Sequence, residues 1–373
     1  IMSFKEVHKK ILNALKDDDL RKGSKESTKN ELINRKNAIE RFENINRWSD
    51  EVKKSKKEIM ANFNFYFEEF KKNVEKRGFN FHYARDEKEA REIFLNILKD
   101  AKLVVKSKSM VGEEISIRQF LEINGIKVYE TDLGEFLVQI SNGKPAHMVT
   151  PAVNITKKKA SILLEKYIEK KTDDIGEMVL GVRKFMREIF LKADAGIIGA
   201  NSISLDGEIV FITNEGNGAL THLLPKKIII ITSVEKILMN LDDCIKEAFV
   251  QTVFDGYRNI SYMHILEYPG DKDIHLIILD NGRIENFNTF LSETLLCIKC
   301  GSCQLACPIF KEVDGAWGDI YTAAIGIAWT YITGNKEKAI SLSYLCLSCG
   351  ICHEVCPMKI NIPEILIKIK KIH

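Results

Sequence analysis

Two cysteine-rich runs constrain the fold of this 373-residue chain more than any other feature. Residues 297–308 read CIKCGSCQLACP and residues 346–357 read CLSCGICHEVCP, so eight of the nine cysteines share the spacing C-x2-C-x2-C-x3-C-P. Bacterial ferredoxins that carry two [4Fe–4S] clusters have this spacing. Soft thiolates two residues apart on a turning backbone can reach three corners of one cubane. The pattern therefore predicts two [4Fe–4S] clusters in a ferredoxin-type C-terminal region.

The fourth cysteine of each run is predicted to serve the cluster of the other run. Its longer gap and the proline after it carry this cysteine away from the first three, as in two-cluster ferredoxins. Two mixed ligand sets follow. Cluster 1 would be held by Cys297, Cys300, Cys303 and Cys356, and cluster 2 by Cys346, Cys349, Cys352 and Cys307.

Other uses of so many cysteines fit the sequence less well. A disulfide framework needs an oxidising compartment, whereas the polar, acidic start of the chain is unlike a signal peptide. Zinc sites usually pair two C-x2-C halves instead of using quartets that end in Cys-Pro. The longest apolar stretches are interrupted by charge, so we expect a cytoplasmic protein without a transmembrane segment. The ninth cysteine, Cys244, is expected to be an inert buried thiol in a helix.

The residues before the cysteine runs predict an α/β protein with an N-terminal helical layer. Residues 1–78 have helical patterning and end at Gly78, a good residue for a helix C-terminus. Beyond it, apolar β-branched segments alternate with charged helices, which indicates βαβ units and a mainly parallel sheet. Predicted strands cover 79–84, 101–107, 126–130, 195–200, 208–213, 227–232, 260–265 and 274–280. The predicted domains are an N-terminal helical segment (1–78), an α/β domain (79–285) and a mostly helical two-cluster ferredoxin-type domain (286–373).

Two local signals add detail to this outline. Asp206-Gly207 predicts a hairpin turn between two short strands. Thr232 and Glu235 have the spacing of a capping box, which predicts that a helix begins where the strand KIIIIT ends. A further helix is predicted over GIAWTYITG, between the cysteine runs.

Four further segments resemble one protein family. They are VVKSKSMVGEEI (104–115), YETDLGE (129–135), TNEGNG (213–218) and DNGR (280–283). Together with the cysteine runs, these segments resemble the LutB-type LUD-domain iron–sulfur proteins of the bacterial L-lactate utilisation complex. The resemblance covers nearly the whole chain. Members usually continue well beyond the second cysteine run, whereas this chain ends 17 residues after Cys356 and would be a short form.

The resemblance carries expectations about fold, cofactors and partners. It implies a LUD domain with a parallel-sheet fold of the NagB/RpiA/CoA-transferase-like group, and two [4Fe–4S] clusters. It also implies a LutA-like iron–sulfur partner with cysteine-rich repeats and a LutC-like second LUD subunit. The complex of this family oxidises L-lactate to pyruvate.

A candidate ligand site lies where KSKSM follows a predicted strand. Open α/β sheets bind ligands at the carboxyl ends of their strands. Lys106 and Lys108 could hold a carboxylate or phosphate there, with Ser107 and Ser109 as hydrogen-bond donors. The alternative is a solvated strand end.

Two other segments supply further candidates. The loop NEGNG also follows a strand and offers Asn214, Glu215 and Asn217. Glu215 could be a nucleophile by analogy with the loop glutamate of CoA-transferases, or a plain turn residue. His147 could act as an acid or base, or have a structural role.

These features predict an iron–sulfur electron-transfer subunit of an oxidoreductase complex, without independent turnover. No dinucleotide-binding G-x-G-x-x-G or Walker loop occurs in the right context. The net charge of +3, without basic blocks, does not suggest nucleic acid. Lactate oxidation is the expected reaction of the complex. A different oxidoreductase, a LUD-domain enzyme with CoA-transferase-like acyl chemistry, and a scaffold that only positions the clusters are the alternatives.

Overall fold

The computed structural model describes residues 4–143, 145–148, 151–152, 154–213, 216–257 and 259–372. Its N-terminal layer consists of helices, as predicted. They are α1 (Phe4–Lys16), α2 (Asp18–Arg41), α3 (Ile45–Ala61) and α4 (Phe63–Lys76). The Asp17 carboxylate accepts a hydrogen bond from the Leu20 N–H and caps α2.

The α/β region contains all the strands assigned in the described part of the chain. They are β1 (Asn80–Ala84), β2 (Leu103–Lys106), β3 (Lys127–Glu130), β4 (Ala195–Gly199), β5 (Ser202–Ser204), β6 (Ile209–Thr213), β7 (Lys227–Ser233), β8 (Ile237–Leu238), β9 (Tyr262–Leu266) and β10 (Asp273–Leu279). Six form a parallel sheet in the order β1-β10-β7-β4-β2-β3. The central strand β7 contains four consecutive buried isoleucines (228–231) because both faces of the sheet are covered. The α/β fold class is confirmed.

The remaining strands form a second sheet, in the order β8-β5-β6-β9. Strands β5 and β6 are the predicted antiparallel hairpin around Asp206-Gly207, and β9 extends it. The sequence predicted β5, β6 and β9 but not β8, where a helix was expected. It did not separate these strands from the parallel sheet, because short apolar runs look alike in both.

The helices of the α/β region pack on its two sheets and on one another. They are α5 (Glu87–Ile97), α6 (Met110–Glu114), α7 (Ile117–Ile123), α8 (Leu133–Ile140), α9 (Lys157–Ile168), α10 (Ile175–Lys192), α11 (Asn217–Leu223) and α12 (Leu241–Asp255). Cys244 is buried in α12, and burial raises the pKa of its thiol. This agrees with the inert thiol that the sequence predicts.

The capping box predicted at Thr232 and Glu235 is wrong. Strand β7 continues to Ser233, and a 3-10 turn (Val234–Lys236) leads directly into β8. The Glu235 carboxylate is instead buried in a network of charges that includes Arg283 and Lys299. These long-range ion pairs replace the local helix cap.

The C-terminal region is helical between and after its cysteine loops. Its helices are α13 (Ser302–Ala306), α14 (Pro308–Val313), α15 (Ala323–Ile332), α16 (Lys336–Ser343), α17 (Ile351–Glu354) and α18 (Ile362–Lys370). The predicted helix over GIAWTYITG is α15, which is apolar on almost every side and buried. Within the described residues, no helix is long and apolar enough to cross a membrane.

One apolar core joins the three regions. It runs from Val52 and Phe70 in the N-terminal helices, across one face of the sheet at Ile230, to Trp329 in α15. Helix α2 packs against α12, α13 and α14 and therefore touches both the α/β region and the C-terminal region. The domain boundaries at 78/79 and 285/286 stay a prediction.

Candidate iron–sulfur centres and an adjoining cavity

The first group of four cysteines surrounds a small apolar cavity. Its members are Cys297, Cys300, Cys303 and Cys356, all of them buried. Between Cys297 and Cys303 the backbone turns through left-handed conformations at Lys299 (φ 60°) and Gly301 (φ 77°). These turns bring three cysteines of one run to the same cavity, and Cys356 arrives from the second run.

The second group surrounds a separate cavity in the same way. Its members are Cys307, Cys346, Cys349 and Cys352. Ser348 (φ 53°) and Gly350 (φ 83°) repeat the left-handed turns of the first run. This group lies closer to the surface, since Cys349 is exposed and Cys346 is partly exposed.

The donor sets fit [4Fe–4S] clusters. Each cavity presents four soft sulfur atoms within apolar walls, which suits iron–sulfur centres. The Lys299 N–H donates to Cys297 Sγ (3.3 Å) and the Ser348 N–H donates to Cys346 Sγ (3.4 Å), as expected around cluster thiolates. Burial raises the pKa of Cys307 and Cys356 to about 11, so metal ligation would be needed to hold them as thiolates at neutral pH.

A larger cavity, of about 200 Å³, lies at the carboxyl edge of the parallel sheet. It opens where β2 and β4 end, which is the edge that the sequence predicted. Four of the predicted site residues line it: Ser107, Lys108, Ser109 and Asn217. Asn214 and Glu215 lie outside the described residues.

Lys106 has a different environment from the one predicted. Its side chain is completely buried, and its Nζ lies 2.8 Å from Glu130 Oε1 and 3.0 Å from Glu113 Oε1. Burial opposes the charge, but Glu130 and Glu113 together raise the pKa of Lys106. The ammonium group is thus occupied by carboxylates and does not line the cavity, which corrects the anion-binding role predicted for it.

His147 lies against the first cysteine loop and not in the cavity. Its Nε2 is 3.4 Å from the Gly301 carbonyl oxygen, and its ring contacts Phe310. Burial, with a smaller effect from Lys108, lowers the pKa of His147 to about 3. The ring is therefore neutral at neutral pH, which favours the structural role over acid–base catalysis.

The sequence analysis did not predict several polar residues of the cavity, among them Lys236, Asp255, His264 and Lys299. Lys299 belongs to the first cysteine loop, so the cavity and cluster 1 share this residue. Met148 also lines both the cavity and the first cysteine group. Of these residues, only Lys299 could have been noticed in the sequence, because it lies within CIKC. Its contacts with distant residues could not have been predicted.

A network of buried charges supports the wall between the cavity and the first cysteine group. Glu235 pairs with Lys299 (2.6 Å) and Arg283 (2.7 Å), and Arg283 also pairs with Glu114 (2.5 Å). Burial opposes ionisation of Glu235, but Arg283 and Lys299 lower its pKa overall. The Lys299 ammonium also lies 4.6 Å from the centre of the Trp329 ring, a cation–π contact.

The network continues on the other side of Glu235. Lys236 pairs with Glu247 (2.9 Å), and Lys56 lies 3.9 Å from the same carboxylate. Four cations (Lys56, Lys236, Arg283 and Lys299) thus face three carboxylates (Glu114, Glu235 and Glu247) in the interior.

Comparison with known families agrees with this architecture. The LUD domain matches residues 67–278, and the 4Fe-4S dicluster domain matches residues 293–360. The chain is therefore an iron–sulfur protein that joins a LUD domain to a two-cluster region. No solved structure matches it.

Three similar proteins define the family of the chain more narrowly. The chain is 33% identical to Lactate utilization protein B of Bacillus velezensis and to that of Bacillus subtilis, over 94% of this chain and 77% of each relative. It is 31% identical to Lactate utilization protein B of Bacillus thuringiensis, over 100% of this chain and 82% of the relative. The chain belongs to this LUD-domain iron–sulfur family.

Proposed function

We propose that the chain is the iron–sulfur electron-transfer subunit of an oxidoreductase complex that converts L-lactate to pyruvate. The observation that carries this proposal is the pair of cysteine groups, each of which takes its fourth member from the other run. Such exchange of ligands holds two centres close together. When bound, two [4Fe–4S] clusters supply single-electron transfer. The name of the relatives supports lactate as the substrate of the complex.

The two cysteine groups differ in a way that suits a relay. The first is buried beside the cavity, whereas the second reaches the surface at Cys349. Around Cys349 the side chains of Leu347, Ile351 and Tyr344 are exposed, and Leu347 has 64% of its surface accessible. A partner could approach cluster 2 over this apolar surface. We propose LutA-like and LutC-like subunits as the partners.

Anaerobically purified protein is expected to contain about eight iron atoms and about eight acid-labile sulfides per chain, because each cubane holds four of each. Iron and sulfide analysis with low-temperature EPR of the reduced protein would measure this. A Cys244→Ser variant is the matched control and should keep the full content, since Cys244 lies in α12. Protein that binds one or two zinc ions and no sulfide would contradict the proposal.

The purified chain alone is not expected to oxidise L-lactate with an artificial electron acceptor. Lactate gives up two electrons together, whereas each cluster takes one, and no dinucleotide motif supplies a two-electron carrier. Addition of LutA-like and LutC-like subunits from the same organism should restore lactate-dependent dye reduction. Turnover by the isolated chain at the rate of the complex would favour an enzymatic LUD domain instead.

A further inference from the structure

The cavity at the sheet edge has one apolar wall and one cationic wall. Ile198, Phe211 and Ile260 form part of the apolar wall. Lys236 and Lys299 stand on the other side, with Lys108 also at the cavity. A short-chain carboxylate has the same division between an apolar tail and an anionic head. A phosphate ion has no apolar part to cover the first wall, so the cavity favours a carboxylate.

Two buried polar groups in the cavity have no hydrogen-bond partner in the described part of the chain. Asp255 is 2% exposed, and neither of its carboxylate oxygens has a hydrogen-bond partner among the described residues. His264 Nε2 is likewise buried without a partner in that part of the chain. Burial raises the pKa of Asp255 well above its usual value and so favours the protonated carboxyl group, which can donate a hydrogen bond. Because buried polar groups are normally paired, these two indicate a polar ligand.

The charge network beside the cavity points to the sign of that ligand. Lys236 and Lys299 are the two members of this network that line the cavity, and Lys108 is a third lysine there. An anion in the cavity would therefore lie next to three lysine side chains.

We propose that the cavity binds a small carboxylate anion, with its head group near Lys236, Lys299 and Asp255 and its tail on the apolar wall. Lys299 also lies in the first cysteine loop, where its N–H donates to Cys297 Sγ. Reduction of cluster 1 adds negative charge next to this lysine and therefore weakens anion binding. By linkage, the bound anion makes cluster 1 harder to reduce.

The direct test is calorimetric titration of the oxidised, cluster-loaded protein with sodium acetate. Sodium chloride holds the ionic strength constant, and phosphate is the comparison anion. Wild type should bind acetate saturably, and Lys299→Met should bind it at least about tenfold more weakly, because a charge-assisted hydrogen bond is lost. Lys108→Met tests the cavity independently and should also weaken binding. Lys338→Met is the control, since this buried lysine pairs with Asp319 away from the cavity.

A second measurement tests the linkage to the cluster. The midpoint potential of cluster 1 should fall by about 59 mV in saturating acetate if reduction weakens binding tenfold. This measurement rests on the proposed clusters, whereas the calorimetry does not, so the two can fail separately. Absence of saturable acetate binding would overturn the proposal. So would acetate binding unchanged in both Lys299→Met and Lys108→Met, or phosphate binding as tight as that of acetate.

Discussion

A Cys307→Ser variant is expected to lose cluster 2 and keep cluster 1. Cys307 belongs to the first run in sequence, but it lines the second cavity together with Cys346, Cys349 and Cys352. Serine replaces a soft thiolate by a hydroxyl that binds iron poorly. Iron content should therefore fall from about eight to about four atoms per chain. EPR that resolves the two clusters would identify the one that remains.

The mirror substitution sharpens this experiment. Cys356→Ser should remove cluster 1 and keep cluster 2, because Cys356 lines the first cavity. Together the two variants distinguish crossed ligation from local structural damage. Damage near a cysteine run would affect the cluster that takes three ligands from that same run. Loss of the 297–303 cluster from Cys307→Ser, with cluster 2 intact, would show that each run serves its own cubane.

The features that the sequence predicted well depend on local chemistry. Cluster type follows from ligand spacing within a dozen residues, and the 4Fe-4S dicluster match at 293–360 confirms it. The parallel sheet follows from buried β-branched runs such as KIIIIT, which need cover on both faces. The carboxyl edge as the place of a cavity follows from the topology of such sheets.

What the sequence could not predict depends on contacts between distant residues. Glu235 has the spacing of a capping box, yet its partners Arg283 and Lys299 lie 48 and 64 positions away and outweigh the local signal. The lysines of KSKSM look alike in sequence. Only the folded chain shows that Lys106 turns towards Glu130, 24 positions away, while Lys108 lines the cavity.

A Lys106→Met variant is expected to lose about 3–5 kcal/mol of folding stability, the usual effect of removing one partner from a buried ion pair. One carboxylate oxygen from each of Glu113, Glu130 and Glu135 lies within 4.8 Å of the other two, and all three side chains are buried. Without the Lys106 ammonium group, no positive charge at that position compensates the mutual repulsion of these carboxylates. Denaturant midpoints of wild type and variant, followed by far-UV circular dichroism, would measure the loss.

The loss should also depend on pH, with a sign that follows from the pKa shifts. Burial raises the pKa of Glu130 to about 7 and that of Glu135 to about 8, from an ordinary value of 4.5. Between 4.5 and about 8 the folded protein thus holds more protons than the unfolded chain, so these carboxyls lower stability as pH rises. Removal of the Lys106 charge raises both pKa values further, so the difference between variant and wild type should widen towards pH 8.

Lys108→Met is the matched control for this prediction. It removes the same charge two residues away, but at a partly buried position on the cavity wall, so we expect a loss below about 1 kcal/mol. The two variants should therefore separate cleanly: Lys106→Met unfolds at lower denaturant, and Lys108→Met remains stable but binds acetate weakly. Equal stability of the two variants, without the pH dependence, would show that the Glu113–Glu130–Glu135 group does not depend on the Lys106 charge.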